Sequence, residues 1–219
     1  MDPSVPDAIA FDLDGTLVDT VPSRIRAWRE VLAEHGYDVD DATLGAMIGM
    51  DGRRLARDVA VGSGRELDQE EADRIDRAAG ERFDTHNREP RSLPGAHAAL
   101  ARLDAAGITW AIATSSRADQ VRGSIAALQL AHPPRIIDGS RVAHAKPAPD
   151  LLLLAASELG VAPDRCWYVG DSTWDMRAAM AAGMAGIGVS AGAAVDRTAL
   201  LEAGAALVID TLQQLPIPD

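Results

Sequence analysis

The alternation of short apolar segments with helical stretches most constrains the fold of this 219-residue chain. Segments of strand character lie at residues 8–12, 108–113, 136–137, 167–169, 187–189 and 207–209. Stretches of helical character lie at residues 96–106, 118–130, 150–159, 173–182 and 196–203. Strands that alternate with helices through short turns form a parallel sheet with helices on both faces. The sequence therefore predicts an α/β domain.

A segment near the N-terminus departs from this alternation. Apolar residues recur there at helical spacing, as in Ile25, Trp28 and Leu32. Further helices are predicted at residues 41–48, 53–61 and 68–87, and no strand is predicted between the first strand and residue 90. We therefore expect two domains, a core made of residues 1–19 and 91–219 and an all-helical insertion at residues 20–90.

Composition excludes several classes of protein. The net charge of −12 disfavours nonspecific nucleic-acid binding, which depends on a basic surface. No apolar run approaches the roughly 20 residues that a membrane span needs. The N-terminal residues show neither the basic nor the apolar region of a secretory signal, and the single cysteine, Cys166, allows no internal disulfide. We expect a cytoplasmic protein without nucleic-acid or membrane partners, as a monomer or homodimer.

The chain has a single lysine, Lys146, among 21 basic residues. Arginine serves wherever else a cation stands, so the survival of one lysine has two explanations. It is either chance, or a position that needs a compact point charge which the broad guanidinium group does not imitate.

Polar side chains follow several of the predicted strands. They are Asp12 and Asp14 after the first strand, Thr114, Ser115 and Ser116 after the second, Lys146 ahead of a later helix, and Asp171, Ser172 and Asp175 after the fourth. Ligands of open parallel sheets bind beyond the carboxyl ends of the strands. Clustered carboxylates without His or Cys suit Mg²⁺, and hydroxyls, backbone N–H groups and a lysine suit phosphate. Phosphoryl transfer could use Asp12 as nucleophile and Asp14 as general acid and base.

Four motifs in order, FDLDGT, AIATSS, KPAPD and GDSTWD, resemble those of the haloacid dehalogenase-like hydrolase superfamily, in its capped phosphoglycolate phosphatase and β-phosphoglucomutase-like subgroup. The resemblance spans essentially the whole chain. It implies a Rossmann-like core and a helical cap inserted after the first motif. It also implies that Asp12 forms an aspartyl-phosphate and that Asp14 protonates the leaving group and then activates water.

The resemblance assigns the remaining motif residues to phosphate and metal binding. Thr114 and the backbone of Ser115 would hold the phosphoryl group, and Lys146 would bridge the nucleophile and the phosphate. Asp171 would bind Mg²⁺ together with Asp12 and the carbonyl of Asp14. The residues expected to support this site are Gly170, Ser172 and Asp175.

Differences between subclasses favour a phosphatase acting on small phosphorylated metabolites, such as phosphoglycolate or sugar phosphates. Dehalogenases of this type usually lack the second carboxylate, which is Asp14 here. The insertion has no lysine for the Schiff base of a phosphonatase. A β-phosphoglucomutase-like isomerase is the alternative, although that subgroup typically has His at the position of Arg24 and Glu at that of Gly170. A non-catalytic binding module is a third hypothesis, disfavoured because binding alone does not require both aspartates.

Substrate specificity is expected to depend on the cap. Its candidate cations are Arg24, Arg53 and Arg54, of which the last two follow a glycine-containing turn at residues 49–52. Each could instead be a solvated surface arginine. We expect the cap to close over the site about hinges at residues 18–22 and 89–93.

Overall fold

A computed structural model describes residues 5–118 and 120–217 of the chain. Its centre is a parallel sheet of six strands, namely β1 (Ala8–Phe11), β2 (Thr109–Thr114), β3 (Ile136–Asp138), β4 (Cys166–Gly170), β5 (Ala185–Val189) and β6 (Leu207–Ile209). The strand order is β3-β2-β1-β4-β5-β6. The order reverses at β1, which pairs with β2 on one side and β4 on the other. Ligands of such sheets bind at this switch point, beyond the carboxyl ends of the strands.

Nine α-helices accompany the sheet in the described residues. They are α1 (Val21–Glu34), α2 (Asp41–Met47), α3 (Gly52–Gly62), α4 (Gln69–His86), α5 (Ala96–Ala106), α6 (Arg122–Ala127), α7 (Asp150–Leu159), α8 (Thr173–Ala182) and α9 (Arg197–Glu202). The predicted Rossmann-like α/β fold is confirmed.

The sheet is covered on both faces. Along β1, Ile9 and Phe11 belong to an apolar cluster that includes residues of α5, whereas Ala8 and Ala10 belong to one that includes residues of α7 and α8. Alternate residues of a strand point to opposite faces, so each face of β1 packs against its own helical layer. Because both faces are buried, the strands consist of continuous apolar residues, the pattern that revealed them in the sequence.

Helices α1 to α4 form the helical insertion between β1 and α5, and they share an apolar cluster of their own. Its largest members include Trp28, Leu55 and Ile75. Three of the helices begin at aspartates, Asp40, Asp51 and Asp68, whose side chains accept hydrogen bonds from backbone N–H groups of the first turn. The exact division into two domains at residues 20 and 90 stays a prediction.

The two connections between the insertion and the core lie side by side. Val18 forms an antiparallel bridge with Ser92. The N–H of Asp19 donates to the carbonyl of Arg91 at 2.8 Å, and the N–H of Leu93 donates to the carbonyl of Leu17 at 2.9 Å. The insertion is thus joined to the core through a short two-stranded segment at the residues predicted as hinges.

One predicted helix is much shorter than expected. The sequence predicts helix over residues 118–130, but α6 covers only Arg122–Ala127. A turn precedes it, in which the N–H of Gln120 donates to the carbonyl of Arg117 and the side chain of Gln120 accepts from the N–H of Arg117. Gln129, at a φ of 45°, ends the segment in the left-handed region. Among the described residues, the helices are too short or too polar to cross a bilayer.

Candidate active site

The site lies at the carboxyl edge of the sheet, where β1, β2 and β4 end side by side. Asp12 follows β1, Thr114 ends β2, and Asp171 follows β4. The N–H of Asp12 donates to the carbonyl of Val169 at 2.8 Å, which holds the turn after β1 against β4. Because adjacent parallel strands place their ends together, residues more than 150 positions apart meet here.

Lys146 lies between two carboxylates in the interior. Its Nζ is 2.6 Å from Oδ1 of Asp12 and 2.7 Å from Oδ1 of Asp175. The lysine is 1% exposed, although lysine is almost never fully buried unless it is paired. Burial acts to lower its pKa, but the two carboxylates outweigh burial and raise the pKa above its ordinary value. This is therefore a buried cation held at one point, as the single-lysine composition suggested.

Asp175 is fixed by the start of α8. Its Oδ2 accepts a hydrogen bond from the N–H of Ser172, while its own N–H donates to Oγ of Ser172, so the two residues form a capping box. A Cβ on Gly170 would lie 2.5 Å from Cγ of Asp175, so only glycine lets this carboxyl pack against the end of β4. The hydroxyl of Tyr168 lies 3.1 Å from Oδ1 of Asp175 and 2.9 Å from the carbonyl oxygen of Ala113.

Three buried carboxylates, Asp12, Asp171 and Asp175, each have an oxygen within 4.8 Å of the other two. Burial raises the pKa of Asp12 to about 7, with Lys146 opposing and the neighbouring carboxylates adding to the effect. Burial, followed by Asp175 and Asp12, also raises the pKa of Asp171 well above its ordinary value. One lysine does not balance three carboxylates. An oxygen-only donor set with an excess of negative charge fits a hard divalent cation such as Mg²⁺.

The described geometry differs in part from the predicted metal ligands. Asp12 and Asp171 lie in the carboxylate cluster, which also includes Asp175, expected only as a supporting residue. The carboxyl of Asp14 is directed elsewhere, toward donors from the insertion and from the segment after β2. The predicted metal contact of Asp14 is through its backbone carbonyl and stays a prediction.

Asp14 is held by three side-chain donors. Its carboxyl oxygens accept from Thr20 Oγ1 at 2.8 Å, Arg24 Nη2 at 2.7 Å and Ser116 Oγ at 2.6 Å. Burial acts to raise the pKa of Asp14, but Arg24 and the hydroxyl donors outweigh it and place the pKa below its ordinary value. Arg24 also donates to Oγ of Ser116 at 2.6 Å. The carboxylate two residues after Asp12 is thus oriented by both the core and the insertion.

The hydroxyl residues after β2 line a cavity at this edge of the sheet. Thr114, Ser115 and Ser116 all line it together with Asp12 and Lys146. Oγ1 of Thr114 accepts from the N–H of Ser116 at 3.1 Å, and Oγ of Ser115 donates to the carbonyl of Gly49 in the insertion at 3.3 Å. The predicted phosphate-binding residues therefore stand beside the predicted nucleophile.

The three candidate arginines of the insertion are not equivalent. Arg24 lines the cavity, and its guanidinium lies 3.9 Å from the centre of the Phe83 ring. Arg53 is bound at the surface to Asp51, and Arg54 lies over the ring of Trp174, with its centre 5.3 Å away. Neither belongs to the lining of the cavity in the described structure. Of the three, Arg24 alone lines the cavity in the described structure, and its role toward the substrate stays a prediction.

Several residues of the site were not singled out from the sequence. Tyr168 contacts Asp175, and the hydroxyl of Thr16 donates to Oδ1 of Asp171 at 3.0 Å. Asp76 of α4 also lines the cavity. Thr16 belongs to the FDLDGT motif, which offered a signal for it. Tyr168 lies inside an apolar strand and Asp76 in a highly charged helix, so neither pattern distinguishes them.

Comparisons with known proteins agree with the motifs and the geometry. The family model described as haloacid dehalogenase-like hydrolase matches residues 9–189. Hexitol phosphatase A of Escherichia coli (strain K12) is 33% identical over 94% of this chain and 92% of its own length. Phosphoglycolate phosphatase of Rhodospirillum rubrum is 35% identical over 96% of this chain and 90% of its own length. The crystal structure of a hydrolase from Pseudomonas syringae superposes with a TM-score of 0.89 at 32% identity and covers 95% of both chains. The chain therefore belongs to the haloacid dehalogenase-like hydrolase family.

Proposed function

We propose that this chain, a phosphatase of that family, hydrolyses phosphate monoesters of small metabolites with Mg²⁺ through an aspartyl-phosphate on Asp12. The observation that carries the proposal is the pairing of Asp12 with Lys146 at the end of β1, with Asp14 two residues further along. Related proteins named as hexitol phosphatase and phosphoglycolate phosphatase support a small phosphorylated substrate.

In the first step, Asp12 attacks phosphorus. Lys146 holds Oδ1 of Asp12, which leaves Oδ2 as the attacking oxygen. The new bond joins Oδ2 to phosphorus, and the bond between phosphorus and the ester oxygen breaks. Asp14, whose pKa lies below its ordinary value in the free site, takes up a proton together with the substrate and gives it to that oxygen, so the leaving group departs as a neutral alcohol. Mg²⁺, which Asp12 and Asp171 of the carboxylate cluster would hold, would supply positive charge to the transferred phosphoryl group.

In the second step, water attacks the phosphorus of the aspartyl-phosphate. Asp14, now ionised, accepts a proton from that water, the bond between Oδ2 of Asp12 and phosphorus breaks, and inorganic phosphate leaves. Arg24 and Ser116 orient the carboxyl of Asp14 for both proton transfers. Asp14 ends the cycle with the proton taken from that water and Asp12 ends it ionised, and loss of the proton with the product returns the enzyme to its starting state.

The test is phosphate release from a panel of small phosphate esters, with and without Mg²⁺, for the wild type and for Asp12→Asn. We expect Mg²⁺-dependent release that Asp12→Asn lowers by at least about 1,000-fold, since the variant lacks the nucleophile. Asp7→Asn is the matched control, because Asp7 is half exposed and paired with Arg165 at the surface. It should leave the rate unchanged.

Two other results would contradict the proposal. Turnover retained by Asp12→Asn would exclude the aspartyl-phosphate. The protein could also convert a sugar 1-phosphate to the 6-phosphate faster than it releases free phosphate. That result would favour the alternative, a β-phosphoglucomutase-like isomerase, over the phosphatase.

A further inference from the structure

We infer that the part of the cavity facing the insertion selects neutral, hydroxyl-rich leaving groups, and that Asp76 is the residue responsible. The inference rests on the proposed function and narrows its substrates to polyol or sugar monophosphates, as opposed to phosphate esters that carry a carboxylate. It follows from the hydrogen bonds that the polar groups of this part of the cavity already make within the protein.

Asp76 presents a carboxylate to the cavity from α4. Nη1 of Arg117 donates to its Oδ2 at 3.1 Å. In the described part of the chain, no hydrogen bond reaches Oδ1. That oxygen lies against Gly52 at the start of α3, where a Cβ would overlap it. Asp76 is therefore held in place by its second oxygen and by packing, and it keeps one oxygen able to accept a hydrogen bond from a ligand.

The arginine that lines the cavity, Arg24, already uses one of its nitrogens within the protein. Nη2 of Arg24 is shared between Asp14 and Ser116, at 2.7 and 2.6 Å. A substrate carboxylate that bound this nitrogen would compete with the aspartate on which proton transfer depends. Because Arg24 is bound to Asp14, we expect it to bind a second anionic group of the substrate only weakly.

Gln120 complements Asp76 from the core side. Its Oε1 accepts a hydrogen bond from the N–H of Arg117 at 3.2 Å, so its Nε2 is the group left to donate. Asp76 accepts and Gln120 donates, and a hydroxyl group does both. A carboxylate only accepts, so it can take the hydrogen bond from Gln120 but has no proton to donate to Asp76, whose negative charge repels it.

The remaining lining of this part of the cavity is apolar. It includes Trp28, Met47, Leu55 and Phe83. Such walls suit the carbon chain of a polyol, and they lower the local dielectric constant, which increases the repulsion between Asp76 and any second anion. A bisphosphate would be disfavoured for the same reason.

The experiment compares kcat/KM for glucitol 6-phosphate, 2-phosphoglycolate and p-nitrophenyl phosphate. We expect the wild type to favour glucitol 6-phosphate over 2-phosphoglycolate by at least about tenfold. Asp76→Asn keeps the shape of the side chain and removes the charge. It should lower that ratio at least about tenfold, and turnover of p-nitrophenyl phosphate shows that the variant is folded and active.

Asp73→Asn is the matched control. Asp73 lies one turn earlier on α4, is half-exposed, and is 4.0 Å from Arg53 at the surface. Its substitution should leave the ratio unchanged. A second measurement needs no variant, since free glucitol should inhibit the wild type at lower concentration than free glycolate when p-nitrophenyl phosphate is the substrate.

The outcomes separate this inference from the proposed function. If the wild type hydrolyses 2-phosphoglycolate as well as glucitol 6-phosphate, or if Asp76→Asn leaves their ratio unchanged, selection by Asp76 is wrong while the phosphatase stands. If glycolate inhibits better than glucitol, the inference is likewise wrong. If folded wild-type protein releases phosphate from none of the three esters with Mg²⁺, the proposed function itself fails.

Discussion

A buried lysine between two carboxylates costs a protein a great deal unless every charge has a partner. Here the partners of Lys146 are Asp12 and Asp175, and Asp175 is itself fixed by Ser172 and Tyr168. Asp12, the proposed nucleophile, is therefore oriented through a chain of hydrogen bonds that includes residues which do not touch the substrate in the proposed mechanism. Tyr168 is one such residue, and removal of its hydroxyl tests what the hydroxyl contributes.

We predict that Tyr168→Phe destabilises the protein by about 1 kcal/mol, because it removes a buried hydroxyl that lies within hydrogen-bond distance of Asp175 and the Ala113 carbonyl. Denaturation by urea with and without the substitution measures the difference. Tyr37→Phe is the matched control, since the buried Tyr37 hydroxyl has no hydrogen-bond partner in the described structure. A loss in Tyr37→Phe equal to that in Tyr168→Phe would show that the loss does not come from these hydrogen bonds.

The residues proposed to carry the chemistry were more predictable from the sequence than the residues that position them or line the cavity around them. Asp12, Thr114 and Asp171 could be identified because each follows a strand, and parallel strands end at one edge. Tyr168 was not predicted, since an aromatic residue inside a buried strand is expected to be core, and only the pairing of the strands shows what its hydroxyl reaches. Asp76 needs the three-dimensional position of α4, which helical periodicity does not supply.

At the scale of elements, charged side chains hold the helical insertion together across the contact between α1 and α4. Glu30 of α1 accepts from Arg82 at 2.8 Å and lies 2.9 Å from Nε2 of His86, both on α4. Arg82 also reaches Glu34 at 2.7 Å. Hydrogen bonds from Arg82, then His86 and Arg26, lower the pKa of Glu30 to about 2. The contribution of this contact between α1 and α4 to stability therefore depends on pH.

We predict that Glu30→Gln lowers the Tm by roughly 2 °C at pH 7 and by less at pH 3. The pKa of Glu30 is lower in the folded chain than its ordinary value of 4.5, so its contribution is fully present above that value. The contribution disappears as pH falls toward 2, when the carboxyl protonates. Thermal melts of wild type and variant at both pH values measure this.

Glu34→Gln provides the comparison for this prediction. Glu34 accepts from Arg82 alone among the described donors and is more exposed than Glu30. Its substitution should lower the Tm less at pH 7. A Tm difference for Glu30→Gln that stays constant from pH 7 to pH 3 would contradict the role of its charge.

Elements with a strong pattern were predicted well, and the exception has a local cause. All six strands appear where the apolar segments lie, and α5, α7 and α8 have the predicted bounds. The helix predicted at residues 118–130 failed because the hydrogen bonds between Arg117 and Gln120 form a turn there. Arg117 in turn pairs with Asp76 of the insertion. A tertiary contact therefore overrides the local helical propensity.

At the scale of the whole molecule, the insertion meets the core through polar contacts that surround the cavity. Arg117 binds Asp76, and Nε1 of Trp174 in α8 donates to the carbonyl of Ala46 in α2 at 3.0 Å. Arg24 and Ser115 add further contacts of this kind, to Asp14 and to the carbonyl of Gly49, and the covalent link is the short paired segment at Val18 and Ser92. Because the covalent link is this short, we expect the insertion to move as a cap over the cavity.

We predict that the cap opens in the free protein and closes when Mg²⁺ and inorganic phosphate bind. Labels on cysteines introduced at the exposed positions Ser63 and Asp164 report the distance between cap and core, since the native Cys166 is buried. The free protein should give longer and more broadly distributed distances than the bound one. Identical distances in both states would contradict closure.

Trp174→Phe removes the hydrogen bond to Ala46 and should increase the open fraction. Trp110→Phe, whose indole N–H bonds Asp104 within the core, should not. If both substitutions shift the distances equally, the bond from Trp174 is not what holds the cap closed.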